Sequence, residues 1–328
     1  MNLIEKANAL PHHPGVYIMK DSSDIIIYVG KSKNLKNRVK QYFYNGKKPS
    51  TKVEKLVKNI KDFDFILCDT EFEALLLENK LIKKYKPHYN RLLKNYEKYG
   101  YIKITREEFP KLDVCLNIED DSMHFGPYTS YHMAQDAVNA INDNLLIRSC
   151  KDKTFTKSFE GCLNFHLGKC LAPCRKNISK DTYVKELFKA INFLYNKDDS
   201  ILKNIEKNME EASLALDFDK AIKFRDDFKA LNVILKETSF IINTLKFQRK
   251  VLVEKLENEH KLFFIIGYKV IHKEIVSLEF NMIQSYIKSN WETLPCNQFQ
   301  IKDYIPKDEL DELEIVEFYL NREDKVVI

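Results

Sequence analysis

The stretch PGVYIMKDSSDIIIYVGKSKNLKNRVKQYF, residues 14–43, constrains this chain most. Residues 15–19 and 25–29 are short apolar runs rich in β-branched and aromatic residues, and Lys20 to Asp24 between them is polar, so the spacing predicts a β-hairpin. If Lys20 to Asp24 forms the turn, Tyr17 and Tyr28 stand directly opposite each other on one face, with Cβ atoms about 4.5–5.5 Å apart. A helix is predicted from Asn34 to Phe43, on which Leu35, Arg38, Val39 and Tyr42 share a stripe at helical spacing. Arg38 then lies at the margin of the face that packs on the hairpin. A cation there requires a partner, because an unpaired buried charge is very costly.

A second helix (52–61), a strand (63–68) and the run TEFEALLLENKLIKKY complete a β-β-α-α-β-α order over residues 12–95, an α/β domain with a small mixed sheet. Thr70 and Glu73 are placed as the two halves of a capping box, and Pro87 ends the last helix. Phe72, Leu75, Leu76 and Ile82 mark that helix's apolar side, with Glu78 at its margin. Two phenols, Arg38 and Glu78 thus converge, with Lys31 at the exit of the second strand. A glutamate can hold a hard divalent cation beside phosphate oxygens, and arginine complements a charged phosphate. A tyrosine serves as a base only where cations stabilise its phenolate. One reading of these residues is a phosphodiester-cleaving site with one metal ion. The other is a core filled by tyrosines, an Arg38–Glu78 ion pair, and Lys31 in solvent.

The same 30 residues resemble the GIY-YIG nuclease module that opens bacterial UvrC, with GVY and YVG standing for the two name-giving triplets. The likeness continues through EALLLENKLIKKYKPHYNRLLK, YIKIT, FGPYTS and LIRSC. It implies Tyr28 as general base, Glu78 as ligand to Mg²⁺ or Mn²⁺, and Arg38 as stabiliser of the charge that develops on phosphorus. Tyr17, Lys31, Tyr42 and Asn90 would orient water, phosphate and neighbouring side chains. Where UvrC proteins usually carry an acidic-acidic-lysine turn after LLK, this chain has NYEKYGY, so no role is assigned to Asn95, Tyr96 or Glu97.

Cys150, Cys162, Cys170 and Cys174 fall within one short span of the 96–178 segment, otherwise read as a linker. Four soft ligands suit an iron–sulfur cluster or tetrahedral zinc. Only Cys170 and Cys174 approach the paired spacing of zinc knuckles, so an uneven cluster site, a zinc site and free thiols all stay open on spacing. The resemblance to UvrC implies a 4Fe–4S cluster that folds the loop and presents Lys169 and Arg175 to DNA. His166 reads as a surface or packed histidine. Cys68, Cys115 and Cys296 read as buried apolar thiols.

Residues 180–236 are helical in pattern, with two helices expected within 201–231, joined near Asp217-Phe218-Asp219. Ile205, Met209, Ala212 and Leu216 form one apolar stripe; Ala221, Phe224 and Phe228 form another. A hairpin this small needs something to pack against. It resembles the UVR motif, which implies a UvrB-binding hairpin at 198–233. The α+β portion from 240 to 328, with strand-like KLFFIIGYKVI and IVSLEF, resembles the entry to the second half of UvrC. Asp303, Asp308 and Asp311 form no evident metal triad. Neither the RNase H-like nuclease nor the helix-hairpin-helix pair fits before Ile328, so the resemblance implies only the 3′ incision chemistry, in a short Cho-like relative or in a fragment of a longer protein.

Net charge decides little at +5, but basic residues far outnumber acidic ones from Lys31 to Lys61, interleaved with Tyr42, Phe43 and Tyr44. That composition suits a phosphate-facing surface or a solvated lysine-rich face. No signal peptide or membrane-spanning run is evident, and a cytoplasmic protein is expected. The implied function is a nucleotide-excision-repair endonuclease nicking damaged double-stranded DNA in a UvrA–UvrB-dependent complex. The alternatives are a non-catalytic adaptor for UvrB or DNA and a lesion-independent nuclease.

Overall fold

A computed structural model describes residues 2–44, 51–91, 93–150, 161–175, 178–246, 248–294 and 305–328. Two compact units result. The first joins Met1–Tyr96 to Phe247–Gln300 and Asp308–Ile328; the second comprises Glu97–Lys246 with Ile301–Lys307.

The first unit opens with α1 (Leu3–Asn8), β1 (Gly15–Lys20), β2 (Ile26–Ser32), α2 (Leu35–Phe43), α3 (Thr51–Asn59), β3 (Asp62–Leu67) and α4 (Glu71–Tyr85). The sheet order is β2-β1-β3, and both pairings are antiparallel, so the expected α/β domain holds while its sheet is not mixed. Asn34 caps α2 by accepting the Asn37 amide at 3.0 Å. Thr70 caps α4, but Glu73 accepts from the Asp69 amide at 3.1 Å instead of closing a capping box on Thr70. One sheet face packs Tyr17, Met19, Leu35, Val39 and Phe63; the other packs Val16, Ile18 and Val29 on Ala74 and Ile82 of α4. Cys68 is buried as expected, and that burial pushes its thiol up to about 11. Cys115 is only half-buried, and Cys296 and Asp303 lie outside the described residues.

The stretch from 96, read as a linker, opens the second unit as a folded layer. Strands β4 (Gly100–Ile104), β5 (Leu112–Cys115) and β6 (Met123–Tyr128) form an antiparallel sheet of order β5-β4-β6. Helices α5 (Tyr131–Leu145), α6 (Leu163–His166), α7 (Lys180–Leu194), α8 (Ser200–Leu214) and α9 (Phe218–Leu245) follow. Sheet and helices share one apolar core, in which Ile102, Ile141, Phe193, Ile205 and Leu231 are almost completely buried.

The chain then returns to the first unit with β7 (Arg249–Lys255), β8 (His260–Ile266), β9 (Lys269–Val276), α10 (Phe280–Thr293), α11 (Leu310–Leu320) and β10 (Val326–Val327). KLFFIIGYKVI is two strands turned at Gly267, which has φ +60°. IVSLEF leaves the sheet after Val276 and enters α10 at Phe280. This module docks on α4. Phe72 meets Phe263 edge-on with ring centroids 5.1 Å apart and Tyr319 at 4.9 Å, while Lys83 pairs with the buried Asp311 at 2.9 Å. The unbroken apolar run in α4 follows from this, because the helix is covered on two sides.

Candidate active site

The hairpin places the tyrosines by a register different from the expected one. Tyr17 stands opposite Gly30, and Tyr28 opposite Met19. The turn is wider than a simple reading allows: Asp21 accepts the Ser23 and Ile25 amides at 2.9 and 3.1 Å, and a bulge follows Met19. Because the shift is two residues, each side chain keeps its face. Tyr17 and Tyr28 become diagonal neighbours with ring centroids 6.0 Å apart. Gly30 makes this possible, since a Cβ there would collide with the Tyr17 phenol, hydroxyl included.

Helix α2 adds the third phenol. Tyr42 shares a 2.9 Å hydrogen bond with the Tyr17 hydroxyl, and its ring lies 5.8 Å from Tyr17 and 6.4 Å from Tyr28. Burial, reinforced by the neighbouring phenols, holds Tyr17 and Tyr28 well above the ordinary tyrosine range. Both are therefore neutral donors at pH 7. Arg38, one turn before Tyr42, is exposed; it donates to Gln41 at 3.1 Å and stands 5.4 Å from the Tyr42 ring centre. Arg38 and Glu78 form no ion pair among the described residues, yet the guanidinium is close enough to favour the ionised carboxylate.

Glu78 and Asn90 occupy the free edge of β2. Glu78 Oε1 accepts the Lys31 amide at 3.0 Å. Asn90 accepts the Val29 amide at 3.0 Å and donates to the Val29 carbonyl at 2.8 Å, as a paired strand would. A sheet edge is thereby satisfied by side chains, and Glu78 is held beside Tyr28. Burial raises the Glu78 carboxyl above its ordinary value, against the Lys31 amide, Lys31 and Arg38. Its Oε2 accepts no hydrogen bond from the described residues. The Lys31 ammonium does not turn to Glu78; it pairs with Glu71 at 2.7 Å. Glu71 was missed in the sequence reading. Its seven-residue spacing from Glu78, two helical turns on one face, was the available signal.

Residues 13–91 match the family described as UvrC-like GIY-YIG domain, 99–193 the UvrC/Cho excinuclease middle domain, and 199–232 the UvrB/uvrC motif. UvrABC system protein C of Clostridium tetani is 43% identical over 277 residues, which are 83% of this chain and 44% of that protein. The Acetivibrio thermocellus protein of the same name is 36% identical over 330 residues, 97% of this chain and 52% of its own length. The chain belongs to the UvrC family. It spans about half the length of the curated relatives it matches. The N-terminal GIY-YIG endonuclease domain of Thermotoga maritima UvrC, solved with its catalytic magnesium, is 36% identical, covering 28% of this chain and 100% of that domain at a TM-score of 0.25.

In this UvrC-family chain the four cysteines sit on the connection between α5 and α7. Cys150 and Cys162 are exposed, Cys174 is half-buried and Cys170 is buried. Burial and the three other thiols raise Cys170 together, so the four sulfurs are within electrostatic reach of one another. Arg148 donates to Cys150 Sγ at 3.2 Å, and the Ala172 amide to Cys170 Sγ at 3.3 Å. No group of three or more ligating side chains stands ready for a metal among the described residues, and 151–160 lie outside them. His166 is exposed, Lys169 faces Asp143 at 3.6 Å, and Arg175 stacks 4.4 Å from the centre of the Phe165 ring.

The hairpin of α8 and α9 packs Ile205 and Ala212 inward, but Leu216 is 71% exposed. Helix α8 ends at Leu214 and Leu216 takes a φ of +58°, which breaks the expected stripe. Leu214 and Phe218 are 86% and 62% exposed at the tip, beside a groove of about 650 Å³ lined by Met209, Ala221, Ile222 and Arg225. Among the described residues no helix is long and apolar enough to cross a membrane.

Proposed function

We propose that this chain is a divalent-metal-dependent DNA endonuclease of nucleotide excision repair, acting in the cytoplasm and nicking the damaged strand 3′ to a lesion in a UvrB–DNA complex. One observation carries the reading: Tyr28, packed with two further phenols, and Arg38 stand near a Glu78 carboxylate that pairs with no cation among the described residues. Glu78 would hold Mg²⁺ or Mn²⁺ through the oxygen the β2 edge leaves over. Bound there, the ion supplies positive charge to the phosphate oxygens and makes water more acidic.

The chain's own residues divide the remaining work. Arg38 complements the charge that gathers on phosphorus as water attacks. Tyr28 would take the water's proton as a phenolate, having released its own proton to solvent, a loss that its buried site opposes and the charge of Arg38 favours. The Tyr17–Tyr42 hydrogen bond fixes the two phenols that line Tyr28. Asn90 sets the position of Tyr28 through the adjoining Val29 backbone, and Lys31 orients the phosphate.

Cys150, Cys162, Cys170 and Cys174 would hold a 4Fe–4S cluster, with zinc as the alternative; a set of four thiols, two already accepting hydrogen bonds, fits either. The exposed apolar tip of the α8–α9 hairpin, within 198–233, would dock on UvrB. A lesion-bearing duplex incubated with UvrA, UvrB, ATP and Mg²⁺ tests the whole reading. We expect a 3′ nick from the wild type and a loss of about a thousandfold or more in Glu78→Gln with DNA binding retained. No nick from the wild type would favour a non-catalytic adaptor; nicking without UvrB or a lesion would make it a general nuclease.

A further inference from the structure

Helix α4 presents two carboxylates to one lysine. Glu71 and Glu78 lie two turns apart on the same face, about 10 Å along the axis. Lys31 spans the gap, its amide on Glu78 at 3.0 Å and its ammonium on Glu71 at 2.7 Å. The other Glu71 oxygen receives Lys33 at 2.9 Å and Arg322 at 3.2 Å. Arg322 belongs to the C-terminal module, between α11 and β10, and is itself braced by Asp324 at 3.0 and 3.1 Å. The Glu71 side chain is only 11% exposed.

We propose that Glu71 is a positioning residue for Lys31, and that Arg322 connects the C-terminal module to the nuclease site by orienting that carboxylate. This rests on the reading of Lys31 as part of the site. A lysine at a strand exit has four flexible bonds and strong rotamer entropy. Glu71 restricts it to one direction and keeps its ammonium off Glu78, the oxygen a divalent cation needs. Arg322 occupies Oε2 and so leaves Oε1 aimed at Lys31.

Glu73 supplies the control. It stands in the same first turn and ties the same module through Lys261 at 2.7 Å and Lys273 at 2.6 Å, but touches no cation of the site. Glu71→Gln should lower kcat about tenfold and raise the Mg²⁺ concentration needed for half-activity, with KM for DNA unchanged or lower. Glu71→Asp should recover part of the loss. Arg322→Gln should cost about threefold alone and nothing further in the Glu71→Gln background. Glu73→Gln should lower Tm and leave kcat within about twofold.

Amine-labelling followed by mass spectrometry reads the same contact without catalysis. Lys31 should be labelled slowly in the wild type and several-fold faster in Glu71→Gln. Normal kcat in Glu71→Gln beside a dead Glu78→Gln would overturn the proposal and leave the enzyme reading intact. Unchanged Lys31 labelling in Glu71→Gln would overturn it whether or not the wild type nicks DNA.

Discussion

Tyr17, Tyr28 and Tyr42 stand on two paired strands and a capped helix, whereas Cys150, Cys162, Cys170 and Cys174 are strung along the connection from α5 to α7. In the first region the backbone sets the geometry before any ligand arrives. Glu78 and Asn90 each spend part of their bonding on β2, so their remaining atoms point where the strand edge dictates. In the second region two thiols are exposed, one is half-buried and one is buried, on a connection that no sheet pairing braces among the described residues. The difference is between side chains fixed by paired strands and a capped helix and side chains carried on a connection.

The largest expected effect lies in the cysteine region. Anaerobically purified protein should absorb broadly in the blue, and Cys170→Ser should abolish the band and raise proteolysis between α5 and α7 about tenfold. Incision of the lesion-bearing duplex with UvrA, UvrB, ATP and Mg²⁺ should stay within about twofold of wild type, because the phenol site needs no cluster to assemble. A colourless, zinc-loaded protein would replace the cluster with zinc. Equal protease resistance in Cys170→Ser would break the contrast itself.

A smaller effect is expected where side chains complete the β2 edge. Asn90→Ala leaves the Val29 amide and carbonyl without their buried partners, which should cost about 1–3 kcal/mol in chemical denaturation. A loss confined to kcat, with stability untouched, would show that Asn90 acts on substrate and not on the strand.

The smallest concerns acid. Partial burial works against ionisation of Glu71, but hydrogen bonds from Lys31 and Lys33 win and bring its carboxyl down to about 2. A depressed folded-state value stabilises the protein above the unfolded value, and that contribution fades as pH falls toward 2, where the folded form finally takes up its proton. The Tm difference between wild type and Glu71→Gln should therefore shrink from about pH 5 to pH 3. A difference that grows on acidification would place the stabilising charge elsewhere.

Much of the phenol site was legible because it depends on periodicity. Strand alternation put Tyr17 and Tyr28 on one face, and helical spacing brought Arg38 and Tyr42 beside them. The register was not legible, since the Asp21 side chain widens the turn through bonds that composition does not encode. The even shift spared the face assignment. The docking of the C-terminal module was hidden for a different reason. Phe72 reads as one more apolar residue of α4, and only the folded chain shows that it meets Phe263 and Tyr319 on the side away from the sheet. Glu71 was hidden with it, because one of its three cationic partners, Arg322, arrives from 251 residues away. Lys169 stands 3.6 Å from Asp143 and Arg175 stacks on Phe165, contacts that spacing did not disclose.

Gly30 lies flat beneath the Tyr17 ring. Tolerance at this position is thus decided by another residue: a methyl group forbidden under the phenol becomes acceptable once the aromatic above it is gone. The two positions form an epistatic pair, and a drift experiment that loses the tyrosine first would open the glycine to change. A lineage in which this tyrosine had been released from its role would reveal itself there, in a small residue with no chemistry of its own.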